Sequence, residues 1–177
     1  MRVNFIEYRD SRLLKSPLRM TGEYQRPDDD TFVRQVRVPY AETTTIHTGG
    51  AMQGQVTLER TGKAPRTFSL AQAPELAGLQ ASFGAMLAGD RTLLEQFYTI
   101  TTQGSRGQWT MILQPRTGAL AEQVRDITLH GRGVELRCIE TRPLKGDIQR
   151  TLLSGAARAA GASMTPAAMA ALCKGGA

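Results

Sequence analysis

The rest of the sequence is arranged around the stretch from Pro17 to Pro39, PLRMTGEYQRPDDDTFVRQVRVP. Apolar side chains recur at alternate positions in both of its arms, which predicts two strands with one apolar face and one polar face. The alternating residues are Leu18, Met20 and Tyr24, then Phe32, Val36 and Val38, with Arg34 interrupting the second series. Between the arms, the segment 26–30 (RPDDD) has the composition of a tight polar turn. The stretch therefore predicts a β-hairpin.

Short alternating segments continue on both sides of this hairpin. Upstream, residues 2–14 predict a first strand with Phe5 as a core residue. Downstream, further strands are predicted at 42–47, 52–60, 66–70, 98–103, 108–114, 124–130, 134–141 and 148–153. Turn residues separate the segments closely, which is typical of an antiparallel meander.

The hydrophobic period changes to three or four residues between Pro74 and Phe97, which predicts amphipathic helices at 74–88 and 91–97. The helical segment follows the sixth predicted strand, in a sheet of about eleven strands. A meander of that length would curl to protect its edges, and an amphipathic helix lying on it would enclose an apolar cavity. We therefore expect an α+β fold that is mostly antiparallel β-structure.

After Leu153 the composition shifts to alanine, glycine, serine and methionine. We expect residues 1–153 to form the domain and residues 154–177 to form a tail, with a short helix after Thr165-Pro166. The two cysteines, Cys138 and Cys173, leave two alternatives open. They form a disulfide that pins the tail in an oxidising compartment, or one is a buried free thiol and the other lies in a disordered tail.

Composition places the chain among ordinary globular proteins: of its 177 residues, 41% are hydrophobic and 21% are charged. No apolar run approaches the roughly 20 residues that span a bilayer, and the N-terminus has no signal-peptide pattern. We expect a cytoplasmic protein, or one whose targeting segment has been removed. The net charge of +6 permits nucleic acid or anionic lipid as a partner. The positive residues are scattered singly, however, which disfavours a nucleic-acid surface.

Signals for catalysis are weak. His47 and His130 each end a predicted strand before a glycine, and we expect both at the surface. Solvated side chains are expected for the candidate carboxylates Glu7, Glu42, Glu135 and Glu140. No serine lies in a Gly-x-Ser-x-Gly elbow, and the two cysteines and two histidines lack the spacing of a zinc site. We therefore predict no catalytic residue, metal or cofactor; a small lipid-acting hydrolase and a basic binding module are kept as alternatives.

The positive signal is a set of large apolar side chains that a curved sheet and its helices would bring together. The strand members are Phe5, Met20, Tyr24, Phe32, Val36, Trp109 and Met111, and the helical members are Leu79, Phe83 and Met86. Such side chains either fill one another as an ordinary core or line a cavity for an apolar ligand. Composition alone leaves both possibilities open.

Several short motifs occur in a characteristic order along most of the chain. They are Phe5-x-Glu7-x-Arg9-x-Ser11-x-Leu13-Leu14, Pro17-Leu18, Gly22-x-Tyr24-x-x-Pro27-Asp28, Val36-x-x-Pro39-x-x-Glu42-x-x-x-Ile46, Leu87-Ala88-Gly89-Asp90, Trp109-x-Met111-x-Leu113-x-Pro115, Ile139-Glu140 and Gly146-Asp147. The order and spacing of these motifs resemble those of the LolA-like outer-membrane lipoprotein carrier family, and within it those of the divergent LolA-related proteins.

The resemblance implies an unclosed, strongly curved β-barrel whose helices, at residues 74–97, form a lid. It implies a monomeric periplasmic carrier without catalysis, which holds acyl chains of a lipoprotein or another lipid in its cavity. Such a carrier would take its cargo from an inner-membrane release complex and pass it to an outer-membrane acceptor. In the family, an arginine of an Arg-Pro turn contacts the closed lid, and Arg26-Pro27 matches that turn. Arg26 is therefore the expected latch.

Overall fold

Eleven β-strands and three α-helices form the described part of the chain. The computed structural model describes residues 1–9, 17–72, 85, 90–118 and 120–175. The strands are β1 (Arg2–Arg9), β2 (Leu18–Asp28), β3 (Thr31–Val38), β4 (Glu42–His47), β5 (Gln55–Arg60), β6 (Arg66–Ser69), β7 (Tyr98–Ser105), β8 (Gln108–Pro115), β9 (Val124–Arg132), β10 (Glu135–Pro143) and β11 (Gln149–Leu153). The helices are α1 (Arg91–Phe97), α2 (Ser154–Ala159) and α3 (Pro166–Cys173), with 3-10 turns at Gly50–Met52 and Leu70–Gln72.

All eleven strands belong to one antiparallel sheet with the order β6-β5-β4-β3-β2-β1-β11-β10-β9-β8-β7. The chain starts at the centre, meanders outward to β6, passes to the opposite edge at β7, and meanders back until β11 pairs with β1. The two edge strands are thus consecutive in sequence but lie at opposite ends of the sheet. The sheet is not closed into a barrel, which confirms the predicted unclosed architecture.

One face of the sheet, hereafter the inner face, carries Phe5, Met20 and Phe32 and collects a single apolar core. Buried residues from ten of the strands contribute to this core, from Val56 on β5 to Leu113 on β8. Eleven flat strands at about 4.8 Å spacing would extend over about 48 Å, so a shared core requires strong curvature. The segment between the edge strands also contributes, through buried residues at 85 and 94. The predicted curvature is confirmed.

Two glycines allow aromatic rings to lie flat on the inner face. Phe5 pairs with Gly22 across β1 and β2, and Trp109 pairs with Gly131 across β8 and β9. A methyl group at Gly22 would collide with the backbone oxygen of Gln35 and with the Phe5 ring, and one at Gly131 would collide with the Trp109 indole. Each glycine therefore leaves space that its cross-strand aromatic partner fills.

The opposite face, hereafter the outer face, is covered at the centre of the sheet by α2 and α3. Its apolar cluster joins strand residues of β1, β10 and β11 to small residues of the two helices. The strand members are Ile6, Tyr8, Cys138 and Leu152, and the helical members are Ala156, Ala157, Met169, Leu172 and Cys173. β1 is consequently buried on both faces.

Helix boundaries follow local sequence signals. α1 begins after Asp90, whose carboxylate accepts a hydrogen bond from the amide of Leu93 at 3.0 Å. α3 begins after Thr165, whose hydroxyl accepts from the amide of Ala168 at 3.1 Å, with proline at the first helical position. Both helices lie where the sequence predicts them.

The predicted helix at 74–88 falls almost wholly outside the described residues. In the described ranges, no helix has the length and apolar character to cross a membrane.

Candidate functional site

A row of aromatic rings lies on the inner face of β1, β2 and β3. The ring centroids of Phe5 and Tyr24 are 4.5 Å apart, and those of Tyr24 and Phe32 are 5.7 Å apart. These distances are typical of favourable aromatic pairs. The row gives the centre of the concavity a broad apolar surface that is built on strands.

Seven of the ten predicted cavity residues are in the described ranges, and all seven belong to the inner-face core. Five of them are buried: Phe5, Met20, Tyr24, Phe32 and Val36. Trp109 and Met111 are partly buried and pack against the same cluster. The three predicted lid residues, Leu79, Phe83 and Met86, lie outside the described residues. The structure therefore brings together the strand part of the predicted set.

An ionic group lies within this apolar surface. The buried carboxylate of Glu7 accepts hydrogen bonds from Arg34 Nη2 at 2.9 Å and from Arg9 Nε at 2.6 Å. The Arg34 guanidinium also lies 5.1 Å from the centre of the Phe5 ring and interacts with Tyr24. Arg34 and Tyr24 are cross-strand partners on β3 and β2. The inner face thus holds a compact polar network at its centre.

Burial and charge set the protonation of this network. Burial, aided by the negative charge of Glu7, raises the pKa of Tyr24 to about 12. Burial acts to lower the pKa of Arg34, but its interactions with Tyr24 and Glu7 outweigh burial and raise that pKa. Tyr24 therefore stays neutral and Arg34 stays charged at any physiological pH. The network offers fixed hydrogen-bonding groups inside an apolar concavity.

The prediction that Glu7 is a solvated side chain is wrong, because Arg34 reaches it from the third strand, 27 residues away. The same prediction also fails for Glu42 and Glu140, which are largely buried and paired with Arg60 and Arg150. The apolar series of β3 contains one signal for this network, since Arg34 stands at an inward position between Phe32 and Val36. An inward arginine requires a buried acidic partner.

Arg26, the predicted latch, lies at the end of the β2–β3 hairpin. Its guanidinium donates to the backbone oxygen of Asp29 at 3.2 Å and lies 3.5 Å from the Asp29 carboxylate. Its backbone N–H and C=O both bond to Met1, at 2.9 Å each. Arg26 therefore fastens the N-terminus and its own turn, and its contact with the lid stays a prediction.

The outer face carries a second set of paired polar residues. His130 Nδ1 lies 3.4 Å from the Thr110 hydroxyl, and His130 Nε2 lies 3.8 Å from Glu140, which accepts from Arg150 Nε at 2.9 Å. The His130 imidazole and the Arg150 guanidinium outweigh the effect of burial and hold the pKa of Glu140 at about 2. The expectation of a surface position for His130 is wrong, because the C-terminal residues cover this part of β9.

A disulfide joins Cys138 on β10 to Cys173 on α3, with 5.0 Å between the Cα atoms. Of the two alternatives that the sequence left open, the disulfide is the one present. Glu140 lies close enough to both sulfurs for the three residues to share a metal ion. The disulfide removes both thiolates, however, so this group is not a metal site in its oxidised form.

A family model described as "Outer membrane lipoprotein carrier protein LolA-like" matches residues 1–176. No curated protein matches the chain.

Proposed function

The chain belongs to the LolA-like outer-membrane lipoprotein carrier family, and on this premise we propose that it is a carrier whose inner face binds the acyl chains of a lipoprotein or another lipid. The observation that carries the proposal is the single apolar surface formed by ten strands of an unclosed sheet. The match to a carrier family supports a binding role in place of catalysis.

The inner face suits an acyl chain because its large side chains are both apolar and adaptable. Aromatic rings supply broad contact area, and Met20 and Met111 adjust to an irregular ligand. Each methylene that leaves water contributes about 0.8 kcal/mol, so a chain that buries ten methylenes gains roughly 8 kcal/mol. An apolar face of this extent therefore provides ample free energy for reversible binding.

A carrier must also release its cargo, which requires an entrance that opens. Two described residues of the chain that connects the edge strands, Ala85 and Leu94, are buried in the inner-face core. We propose that this connection, including Leu79, Phe83 and Met86, forms the lid and that Arg26 latches it. In Arg26→Leu, acyl-chain uptake and release should both change; unchanged rates would leave Arg26 as a turn residue.

We further propose that the protein acts in the periplasm as a monomer, between an inner-membrane release complex and an outer-membrane acceptor. The family match supports this placement, as does the disulfide between Cys138 and Cys173. Structural disulfides persist in oxidising compartments such as the periplasm and are rare in the cytosol.

The test uses two methionines that differ in the face they cover. Met111 is partly buried against the inner-face core, and Met164 is partly buried against the outer-face cluster. Binding of an environment-sensitive fluorescent fatty acid is measured for the wild type, Met111→Asp and Met164→Asp. We expect Met111→Asp to weaken binding at least about tenfold and Met164→Asp to leave it unchanged.

A substitution at a more deeply buried residue extends the same test. Phe32→Asp puts a charge into the aromatic row and should abolish probe binding, with circular dichroism confirming that the variant is folded. If the wild-type protein does not bind the probe, or if Met164→Asp weakens binding as much as Met111→Asp, the proposal is wrong.

A further inference from the structure

A separate pocket of about 270 Å³ lies where the C-terminal helix ends against β8, β9 and β10. Three cationic side chains line it: Arg132, Arg137 and Lys174. Gln108 and Trp109 contribute from β8, and no acidic residue is among the described residues that line it. A concave site with this charge balance attracts anions.

Arg137 is the decisive residue, because its burial is not matched by bonding. Its side chain is 17% exposed, close to the 15% of Arg34 and of Arg150. Those two arginines each donate to a carboxylate at 2.9 Å. Arg137 has its nearest carboxylate oxygen, on Glu135, at 3.8 Å, and its buried Nε has no hydrogen-bond partner among the described residues. A buried guanidinium nitrogen without an acceptor is costly unless a ligand supplies one.

The backbone directs Arg137 to this position. β10 pairs with β9 through Leu136–Gly131 and Cys138–His130, so Arg137 is the extra residue of a β-bulge. Bulges re-aim side chains and recur beside binding sites. The other oxygen of Glu135 accepts a hydrogen bond from the backbone amide of Gly155 at 2.7 Å, which fixes that carboxylate on α2. Glu135 therefore steadies Arg137 from outside the pocket and does not line it.

The remaining walls come from the C-terminal segment. The disulfide holds Cys173 at the pocket, and Lys174 and Gly175 follow it directly. The Gln108 side-chain amide donates to the backbone oxygen of Lys174 and joins the two sides. The pocket thus exists because the disulfide holds the C-terminal segment in place. Of the residues proposed to bind acyl chains on the inner face, only Trp109 lines this pocket.

We propose that this pocket binds a phosphate group, either free or on a lipid headgroup. Arginine donors match the oxygens of phosphate in a planar, forked arrangement, and three cations suit a multiply charged anion better than a carboxylate. The volume exceeds that of an ion alone and leaves room for the glycerol of a headgroup. This inference does not rest on acyl-chain binding.

Calorimetric titration of the intact, disulfide-bonded protein tests the proposal. The ligands are inorganic phosphate, glycerol 3-phosphate and acetate, and vesicles of phosphatidylcholine with and without phosphatidic acid form a separate arm. Trp109 is the sole tryptophan of the chain and lines the pocket, so its fluorescence gives an independent readout. We expect saturable binding of a phosphate ligand and at least about tenfold weaker binding of acetate.

The variants are Arg137→Gln and Lys174→Gln, with Arg125→Gln as the matched control. Arg125 is exposed on β9 and does not line the pocket. Loss of a charge-assisted bond in Arg137→Gln should weaken phosphate binding about 10- to 100-fold, and Arg125→Gln should leave it unchanged. Stronger binding to phosphatidic acid vesicles would assign the site to a lipid headgroup, and stronger binding to soluble phosphate would assign it to the free anion.

The proposal is overturned if no phosphate ligand binds saturably, if acetate binds as well as phosphate, or if Arg125→Gln and Arg137→Gln lose affinity equally. Fluorescent fatty-acid binding to Arg137→Gln is measured in parallel and should equal that of the wild type. Failure of the phosphate site and failure of the carrier proposal are therefore distinguishable.

Discussion

The two faces of the sheet are covered in different ways. The inner face is filled by large side chains from ten strands, with Phe5, Tyr24 and Phe32 at its centre. Among the described residues, the apolar cluster of the outer face lies on β1, β10 and β11 and is covered by two short helices rich in alanine. Small side chains bury little apolar area, so their packing contributes little free energy. The outer cover therefore depends on a covalent link, whereas the inner core depends on packing.

Removing that link gives the largest expected effect. Cys138 and Cys173 are 35 residues apart, and a disulfide that closes a loop of this size stabilises the folded state by about 3 to 4 kcal/mol. Cys138→Ala with Cys173→Ala should lower the free energy of unfolding by that amount in urea denaturation. Reduction of the wild type serves as the control. A loss below about 1 kcal/mol would show that the helices pack stably without the link.

On the inner face, Glu7→Gln should have the next largest effect. The substitution removes a buried negative charge that pairs with Arg34 and Arg9 and leaves Arg34 without an ionic partner at that position. Breaking a buried pair in this way costs about 3 kcal/mol. The matched control is Glu95→Gln, whose pair with Arg91 is exposed on α1 and contributes less than about 1 kcal/mol. Equal effects of the two substitutions would contradict the buried network.

A smaller effect is expected from filling the space under an inner-face aromatic. Gly131→Ala places a methyl group where the Trp109 indole lies, which should destabilise the fold by about 1 to 3 kcal/mol and shift the Trp109 emission. Gly107→Ala is the control, because a methyl group there meets only ordinary contacts. An unchanged emission spectrum in Gly131→Ala would contradict the stacked arrangement.

The last expected effect concerns the outer face and depends on pH. The pKa of Glu140 is about 2 in the folded protein and near 4.5 when unfolded, so the unfolded state binds more protons as the pH falls between these values. The stabilisation from Glu140 is therefore complete above about pH 5 and is lost toward pH 2. Thermal melting of the wild type and Glu140→Gln should give a stability difference that narrows as the pH falls. A constant difference would contradict the assignment.

Much of the fold was predictable because local patterns dictate it. The strand Glu42–His47 and the helix 91–97 were predicted to the residue. The alternation in β2 and β3 placed their inner-face residues correctly except for Val38, which is half exposed and lies outside the core. The hairpin turn and the two helix caps have short-range signals. The order of short motifs along the chain pointed to the correct family.

The remaining features depend on contacts between distant parts of the chain. Glu7 meets Arg34 only because β1 and β3 flank β2, and no local pattern reveals that β1 is buried on both faces. The tail residues Ala156 and Ala157 are buried, yet alanine gives no clear apolar stripe. The position of Arg137 depends on a bulge that sequence alternation does not reveal.

Mapping the ligand on the two faces tests the carrier proposal. A fatty acid with a photoreactive group at its chain end is bound, cross-linked and located by mass spectrometry of the digested protein. We expect labels on inner-face residues of the strands, such as Met20, Phe32 and Met111. Labels confined to the outer-face cluster, at Met169 or Leu172, or no saturable labelling at all, would contradict it.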